Sequence, residues 1–104
     1  MPKHLSVAAI TVLHAVARGT AHGFDVIDAT GLPGGTVYPA LSRLERDGFV
    51  ASSWEAVAVA RADGRPPRRY YRVTRLGVRT LNDALEKLQQ LKPVSTRAWA
   101  RARS

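Results

Sequence analysis

Glycine and proline divide the first fifty residues into three short segments, and this division restricts the chain to small packed helices. Gly19, the run 31–35 and Gly48 are natural stops or turns. Between them, apolar residues recur three or four positions apart, which is the spacing of an amphipathic helix. Three such helices joined by short turns fit a helix-turn-helix arrangement. The expected helices cover residues 5–18, 23–30 and 34–48.

The third helix, in the stretch GGTVYPALSRLERDGF, has an apolar side and a polar side. Val37, Leu41 and Leu44 recur at i, i+4 and i+7, so we expect them in the core. If Thr36 is the N-cap, Pro39 falls in the first turn, where its missing N–H has no partner to lose. The opposite side carries Thr36, Pro39, Ser42, Arg43 and Arg46, with Tyr38 near the boundary.

Two β-rich stretches follow the third helix. FVASSWEAVAV (49–59) and RRYYRVT (68–74) are rich in β-branched and aromatic residues and are expected to form strands. The intervening ARADGRPPR (60–68) contains one glycine and two prolines, so we expect a loop without helix. Two strands joined by a basic loop make a β-hairpin, or wing. Trp54 and Tyr71 are expected to lie in the core.

A fourth helix is expected after Thr74, which can serve as its N-cap. Its apolar residues form a narrow seam that could pack against a second copy of the chain. The same spacing also fits a helix that covers its own three-helix core. Pro93 should kink or end this helix, and the residues beyond it could resume as a short basic helix bearing Trp99 or fray. The seam consists of Val78, Leu81, Leu85, Leu88 and Leu91.

Positive charge is the strongest signal in the composition. The 104 residues include 16 Lys and Arg against 8 Asp and Glu, a formal net charge of +8. Most of the cations are Arg, whose planar guanidinium suits bidentate contact to phosphate or guanine. A basic small domain suggests a polyanionic partner, either nucleic acid or an anionic membrane surface. Between 61 and 75, a single acid, Asp63, accompanies Arg61, Arg65, Arg68, Arg69, Arg72 and Arg75.

Enzymatic chemistry has little support in the sequence, and we expect no catalytic residues, metal or cofactor. The chain has no cysteine, which excludes disulfides, thiolate zinc sites and cysteine nucleophiles. His4, His14 and His22 lack partners at metal-ligand spacing. The apolar run 5–16 is too short to span a bilayer, and the N-terminal residues lack a signal-peptide pattern. The expected location is the cytoplasm, in association with the nucleoid.

Three segments of the chain resemble the PadR family of bacterial winged-helix transcriptional regulators. They are HGFDV (22–26), GGTVYPALSRLERDGFV (34–50) and GRPPRRYYRVTRLG (64–77), in the order and spacing of the family. With the linking segments, the resemblance covers roughly residues 5–91. The pattern GT-hydrophobic-YPAL-x-RLE-x-x-G is specific. Beyond this region the chain departs from the family, because a proline interrupts the long final helix that many members carry.

The resemblance implies an α+β fold, mainly α: a winged helix-turn-helix with a three-helix core, a two-stranded β wing and a C-terminal dimerisation helix. Residues 1–75 would form the DNA-binding domain and 76–104 the dimerisation helix and basic tail, together one structural unit. The third helix would enter the major groove while the wing lies along the DNA backbone. The implied contacts are Thr36, Tyr38, Pro39 and Arg43, with Ser42 on the same side, and Arg65, Arg68, Arg69 and Tyr70 in the wing.

A DNA-reading role for the third helix also has a physical basis. A helix N-terminus offers free N–H groups to a phosphate. Arg43 could reach O6 and N7 of guanine, and Thr36 could approach a phosphate or a thymine methyl. The competing interpretation is an ordinary solvated helix face, which is the usual meaning of exposed polar residues.

These observations lead us to expect a homodimeric transcriptional repressor that binds an inverted-repeat operator in double-stranded DNA. The alternative is a winged-helix protein-interaction module without sequence-specific DNA binding. The expected dimer interface is the leucine seam with Trp99, and no membrane partner is expected. Because some family members bind flat aromatic compounds at this interface, the resemblance also implies a small aromatic effector there, although dimer packing is the preferred role for Trp99.

Overall fold

The periodic apolar segments form helices around a shared centre, followed by a hairpin and a final helix. The computed structural model describes residues 5–20, 22–95 and 97. Within that part of the chain, the three expected N-terminal helices are present and the hairpin pairs antiparallel, as expected for a wing. The elements are α1 (Val7–Ala17), α2 (Gly23–Thr30), α3 (Gly34–Arg46), β1 (Val50–Trp54), α4 (Val57–Ala62), β2 (Arg69–Val73) and α5 (Arg75–Gln89).

Helix α1 lies at the centre of the core and packs against α2, α3, α5 and β2. Its Val12 and Leu13 are fully buried. From α3, the three predicted core residues Val37, Leu41 and Leu44 are also fully buried in the same cluster. The predicted apolar side of the third helix is therefore confirmed. Its burial determines which side of α3 faces outward.

Helix α3 begins earlier than the sequence pattern suggests. Pro33 is the N-cap, in an extended conformation (φ −70°, ψ 156°), and its carbonyl accepts from the N–H of Thr36 at 2.9 Å and of Val37 at 3.0 Å. The prediction that Thr36 is the N-cap is wrong, because the two preceding glycines already belong to the helix. Pro39 therefore lies in the second turn, where it cannot donate to the carbonyl of Gly35.

The hairpin brings together strands from both expected β stretches. Val50 pairs with Val73 at the base, next to the core, and Trp54 pairs with Arg69 toward the tip. On the other edge of β2, His22 forms an isolated antiparallel bridge with Tyr70. The start of α2 therefore lies directly against the wing, so the hairpin does not project from the domain unsupported.

A short helix, α4, interrupts the wing. Residues 57–62 are helical, so the prediction of a strand over 49–59 and of a helix-free loop over 60–68 is wrong in this part. Alternating alanines explain the difference, because alanine has the highest helix propensity and the valines between them mimic a strand pattern. The buried side chain of Ala60 anchors the helix, and Gly64 follows it in a left-handed conformation (φ 69°).

The two aromatic residues expected in the core have different environments. Tyr71 is half-buried and packs against the core cluster. Trp54 is 66% exposed, so its prediction as a core residue is wrong. The strand continues beyond the edge of the core at this point, and the inward alternation of the hairpin no longer meets a packed surface.

Helix α5 is attached to the junction between α3 and β1 through its N-cap. The Thr74 hydroxyl accepts from the N–H of Gly77 at 3.0 Å, which confirms the predicted cap, and donates to the Gly48 carbonyl at 2.6 Å. The N–H of Thr74 donates to the Phe49 carbonyl at 3.0 Å. Gly77 is buried so close to that carbonyl that a Cβ atom there would overlap it. This close approach requires glycine.

The leucine seam of α5 is divided between two environments. Leu81 is buried in the core, and Leu85 packs partly buried against the same cluster. Val78 and Leu88 are about two-fifths exposed, and Leu91 is 74% exposed. The seam therefore covers its own core with one part and leaves another part open.

The final helix ends before the proline, as predicted. Gln89 is its last residue, and 90–95 are not helical. Leu91 therefore follows the helix instead of extending its apolar side. Trp99 lies outside the described residues.

Replacing Gly77 with alanine should destabilise the fold by about 1–3 kcal/mol, because the added methyl group meets a backbone carbonyl that cannot move without displacing β1. Urea unfolding followed by circular dichroism measures this change. Gly35→Ala is the matched control: Gly35 is also helical, and a Cβ there meets nothing within 4 Å. The control should be neutral or stabilising, and equal destabilisation by both variants would contradict the close-approach explanation.

Candidate nucleic-acid interface

The outward side of α3 is open to solvent. Its exposed members are Tyr38, Pro39, Ser42, Arg43 and Arg46, whereas Thr36 is half-buried. Within the described part of the chain, the guanidinium groups of Arg43 and Arg46 are not engaged in a hydrogen bond or ion pair, and both residues stand in the last turns of the helix. The arrangement leaves two arginines available to an external partner.

The ring of Tyr38 has a structural neighbour in α2. A Cβ atom at Gly23 would lie 2.8 Å from the phenolic oxygen of Tyr38, so the ring lies directly over this glycine. Tyr38 nevertheless remains 44% exposed. It therefore contacts α2 while a large part of its side chain remains accessible to an external partner.

The turn between α2 and α3 is short and internally bonded. Gly31 adopts a left-handed conformation (φ 72°), and its N–H donates to the Ile27 carbonyl at 2.8 Å. The Thr30 hydroxyl accepts from the N–H of Leu32 at 3.2 Å and donates to the Val26 carbonyl at 2.7 Å. These bonds fix the direction in which the chain leaves α2 and therefore the placement of α3.

A polar network connects the last turn of α3 with the wing. Arg69 Nη2 donates to Glu45 Oε1 at 3.0 Å, and Arg69 Nε donates to Ser52 Oγ at 2.9 Å. The Ser52 hydroxyl donates in turn to Glu45 Oε2. We call these three residues the clasp. The guanidinium carbon of Arg69 also lies 5.5 Å from the Trp54 ring centroid and 6.0 Å from that of Tyr71.

A second network stabilises the outer part of the wing around Glu55. Arg65 donates to both carboxylate oxygens, at 2.5 and 2.9 Å, in a bidentate pair. The Tyr70 hydroxyl donates to the same carboxylate at 3.0 Å, and the N–H of Arg68 at 3.3 Å. Arg65 also pairs with Asp63 at 3.2 Å. The carboxylate thus connects both sides of the long connection between the strands.

This environment favours the ionised form of Glu55. The hydrogen bonds from Arg65, followed by those from Tyr70 and the Arg68 backbone, outweigh desolvation and lower the pKa of Glu55 from 4.5 to about 2. The same pairing raises the pKa of Arg65 above its usual range. Both charges are therefore present throughout the physiological pH range.

The predicted wing residues differ in their availability. Arg68 is exposed, and its guanidinium has no hydrogen bond or ion pair within the described part of the chain. Arg65 is committed to Glu55, Arg69 belongs to the clasp, and Tyr70 donates to Glu55 while its ring packs edge-on against His22. Two further wing arginines, Arg61 and Arg72, are exposed.

Sequence reasoning missed the two glutamates that organise these arginines. Glu55 stands alone between Asp47 and Asp63 in a basic region, and this isolation is a usable signal for an internal ion pair. Glu45 gives a weaker signal, because its partners become apparent only from the strand register. That register places Ser52 and Arg69 on the same face of the hairpin.

Within 5–20, 22–95 and 97, no three His, Asp or Glu side chains converge in a way that could hold a metal ion. In the same part of the chain, no helix has both the length and the apolar character needed to cross a membrane.

Replacing Glu55 with Gln should destabilise the protein in a pH-dependent way. Because the folded pKa is depressed, the ionised carboxylate contributes stability that is fully present above about pH 4.5 and is lost as the pH falls toward 2. Thermal melts from pH 7 to pH 2 should therefore show that the difference in melting temperature between wild type and variant decreases as the pH falls from 4.5 to 2. Asp28→Asn, at an exposed position on α2, is the control. A melting-temperature difference that does not depend on pH would contradict the stabilising role of the ionised Glu55 carboxylate.

Comparison with solved structures identifies similar folds among bacterial regulators. A PadR family transcription regulator from Clostridium difficile has 20% sequence identity and a TM-score of 0.70, with coverage of 81% of this chain and 88% of that one. Bordetella bronchiseptica BpsR, whose DNA binding is regulated by 6-hydroxynicotinic acid, has 23% identity and a TM-score of 0.68, covering 98% and 80%. Bacillus subtilis PadR in complex with operator DNA has 18% identity and a TM-score of 0.67, covering 86% and 52%.

These likenesses establish the winged-helix fold, which is mainly α with a small β wing, as the resemblance implied. No curated protein matches the chain in sequence. The model of the transcriptional regulator PadR-like family matches residues 12–83, which is more than half of the chain and includes α2, α3 and the wing. The chain therefore belongs to the PadR-like family of transcriptional regulators.

Proposed function

We propose that this protein is a sequence-specific DNA-binding regulator that acts as a homodimeric repressor on an inverted-repeat operator. The observation that carries this proposal is the combination of free arginines on the open side of α3 with free arginines on the adjoining wing. Family membership supports the regulatory role, and the operator complex of Bacillus subtilis PadR supports DNA as the partner.

Helix α3 is the proposed reading element in the major groove. Arg43 is the base-contacting residue, because its guanidinium is exposed and matches the two acceptors of guanine. Tyr38, Pro39 and Ser42 lie on the same open side and would contact the DNA around it. Thr36, half-buried near the start of the helix, would approach a phosphate together with the first N–H groups.

The wing is proposed to hold the protein on the DNA backbone. Arg68 is its principal phosphate contact, since its guanidinium is exposed and not engaged by another described residue. Arg65 and Tyr70 hold the shape of the wing through their bonds to Glu55, and they would contact the DNA in addition. Phosphate contacts of this kind set the position of the protein along the duplex, and contacts to the bases set its sequence preference.

The exposed part of the α5 seam is the proposed dimer interface. Val78, Leu88 and Leu91 expose large apolar surfaces that a second copy could cover. Leu81 and Leu85 would hold α5 against its own core beneath this interface, and Trp99 would add apolar surface to the interface. A two-fold dimer presents two copies of α3, so its operator should be an inverted repeat with half-sites about one helical turn, or a multiple of that, apart.

Repression would follow from occupancy, because a dimer bound across a promoter excludes other proteins from the same DNA. A small aromatic effector at the dimer interface is a further part of the proposal. It is supported by BpsR, a structurally similar protein whose DNA binding responds to 6-hydroxynicotinic acid.

Selection of bound sequences from random duplex DNA tests the function. The proposal predicts a palindromic motif. The rival function, a protein-interaction module, is favoured by the early end of α5 and the exposed Leu91 and Val94 beyond it. A protein that remains monomeric by light scattering and selects no sequence would support the rival.

Replacing Arg43 with alanine should reduce preference for the selected operator by about 5- to 150-fold, the discrimination that one bidentate base contact provides. Replacing Arg68 with alanine should weaken binding to all sequences and lower the salt slope by about 0.9, the share of one phosphate. Anisotropy titrations on operator and scrambled duplexes at several salt concentrations measure both effects. Unchanged binding by both variants would show that the proposed surface is wrong.

Replacing Leu88 with Glu should dissociate the dimer, because a charge would be buried in an apolar interface. Light scattering should show a shift from dimer to monomer, accompanied by weaker operator binding. Gln89→Glu, which adds the same charge at the neighbouring exposed position, is the control. A Leu88→Glu protein that remains dimeric at micromolar concentration would exclude α5 as the interface.

A further inference from the structure

The geometry points to the clasp of Glu45, Ser52 and Arg69 as the device that sets the recognition helix at a fixed angle to the wing. In this inference Arg69 is a positioning residue, although its place in a basic wing suggests a phosphate contact. The inference rests on the proposed DNA-binding function and deepens it.

The clasp is a closed ring of hydrogen bonds among three side chains. Arg69 donates through Nη2 to one oxygen of Glu45 and through Nε to the Ser52 hydroxyl. The hydroxyl donates its own proton to the other oxygen of Glu45. Each side chain is therefore hydrogen-bonded to both of the others, and the ring closes only when α3, β1 and β2 are correctly placed.

The clasp joins the end of α3 to a part of the hairpin that the apolar core holds only weakly. The core fixes the base of the hairpin through Val50, which is 2% exposed. Farther out, Tyr71 still packs against the core, but Ser52 is only half-buried and Trp54 is exposed, so apolar packing weakens toward the tip. The covalent link between α3 and β1 is a short turn that passes through Gly48 with φ 82°. The clasp adds a side-chain connection between α3 and both strands beyond that turn.

The charge of Arg69 is already balanced within the protein. Glu45 neutralises it directly, and the rings of Trp54 and Tyr71 lie beside the guanidinium. A phosphate would have to compete with the carboxylate for the same donors. A neutralised cation also releases few counterions on binding DNA, unlike a free one such as Arg68.

The positioning role and the phosphate-contact role predict opposite results for Glu45. Glu45→Gln removes a negative charge near the proposed DNA surface, so a purely electrostatic account predicts tighter DNA binding. If the clasp positions α3, the same substitution should weaken operator binding by about tenfold, as expected when a charge-assisted bond is removed. Its binding to scrambled DNA should change much less.

Arg69 can be tested against its neighbour Arg68. Arg69→Ala should weaken operator binding while leaving the salt slope unchanged, whereas Arg68→Ala should lower that slope by about 0.9. Arg69→Lys retains the charge but not the planar fork, so it should also weaken operator binding. The double variant Glu45→Gln/Arg69→Ala should be no weaker than Arg69→Ala alone, because the two residues act as one unit.

Ser52→Ala provides a milder variant in case the charge variants unfold. It removes the bridging hydroxyl but leaves the direct Arg69–Glu45 bond, and it should reduce operator binding by a few-fold. Ser53→Ala is the matched control, because Ser53 is exposed on the opposite face of β1. Circular dichroism melts establish that each variant is folded before binding is measured.

Tighter operator binding by Glu45→Gln would overturn the inference. It would also be overturned if Arg69→Ala lowered the salt slope as much as Arg68→Ala does, while Arg69→Lys bound the operator normally. Arg69 would then be a phosphate contact, and the DNA-binding proposal would stand. If no variant, including Arg43→Ala, alters binding to any duplex, the proposed function itself fails. The two failures are therefore distinguishable.

Discussion

Burial of the apolar stripe of α3 against α1 is the interaction on which the rest of the structure depends. Val37, Leu41 and Leu44 are fully inaccessible to solvent, and each such side chain contributes about 1.5–3 kcal/mol when withdrawn from water. Rotating the helix by a quarter turn would expose this stripe, so its rotational setting is strongly determined. The exposure of Arg43 and Tyr38 is a direct consequence.

Hydrophobic packing alone does not account for the wing. Away from the Val50–Val73 base of the hairpin, polar connections supplement the core: Glu45 holds the hairpin to α3, and Glu55 holds the outer connection. Thr74 performs a similar task for α5. The two carboxylates each accept from several donors, whereas the Thr74 hydroxyl accepts from one N–H and donates to one carbonyl. In a chain with twice as many cations as anions, those few carboxylates decide which arginines remain free.

The sequence predicted the elements whose pattern is local. The helical spacing of α3, the Thr74 cap and the stop before Pro93 all follow from neighbouring residues, and the structure confirms them. Alanine-rich α4 was missed because its valines imitate a strand. Trp54 was misplaced because strand alternation does not indicate where the core ends. The pairing of Glu45 with Arg69 spans 24 positions and depends on strand register, which no local pattern reveals.

The central claim is that α3 and the wing form one DNA-binding surface. Backbone amide NMR during titration with the selected operator duplex tests it most directly, because every described element reports separately. The account predicts that the largest shift changes fall within 34–46 and 50–73, with smaller changes for a scrambled duplex of equal length. Changes confined to α5, or identical changes for both duplexes, would contradict it.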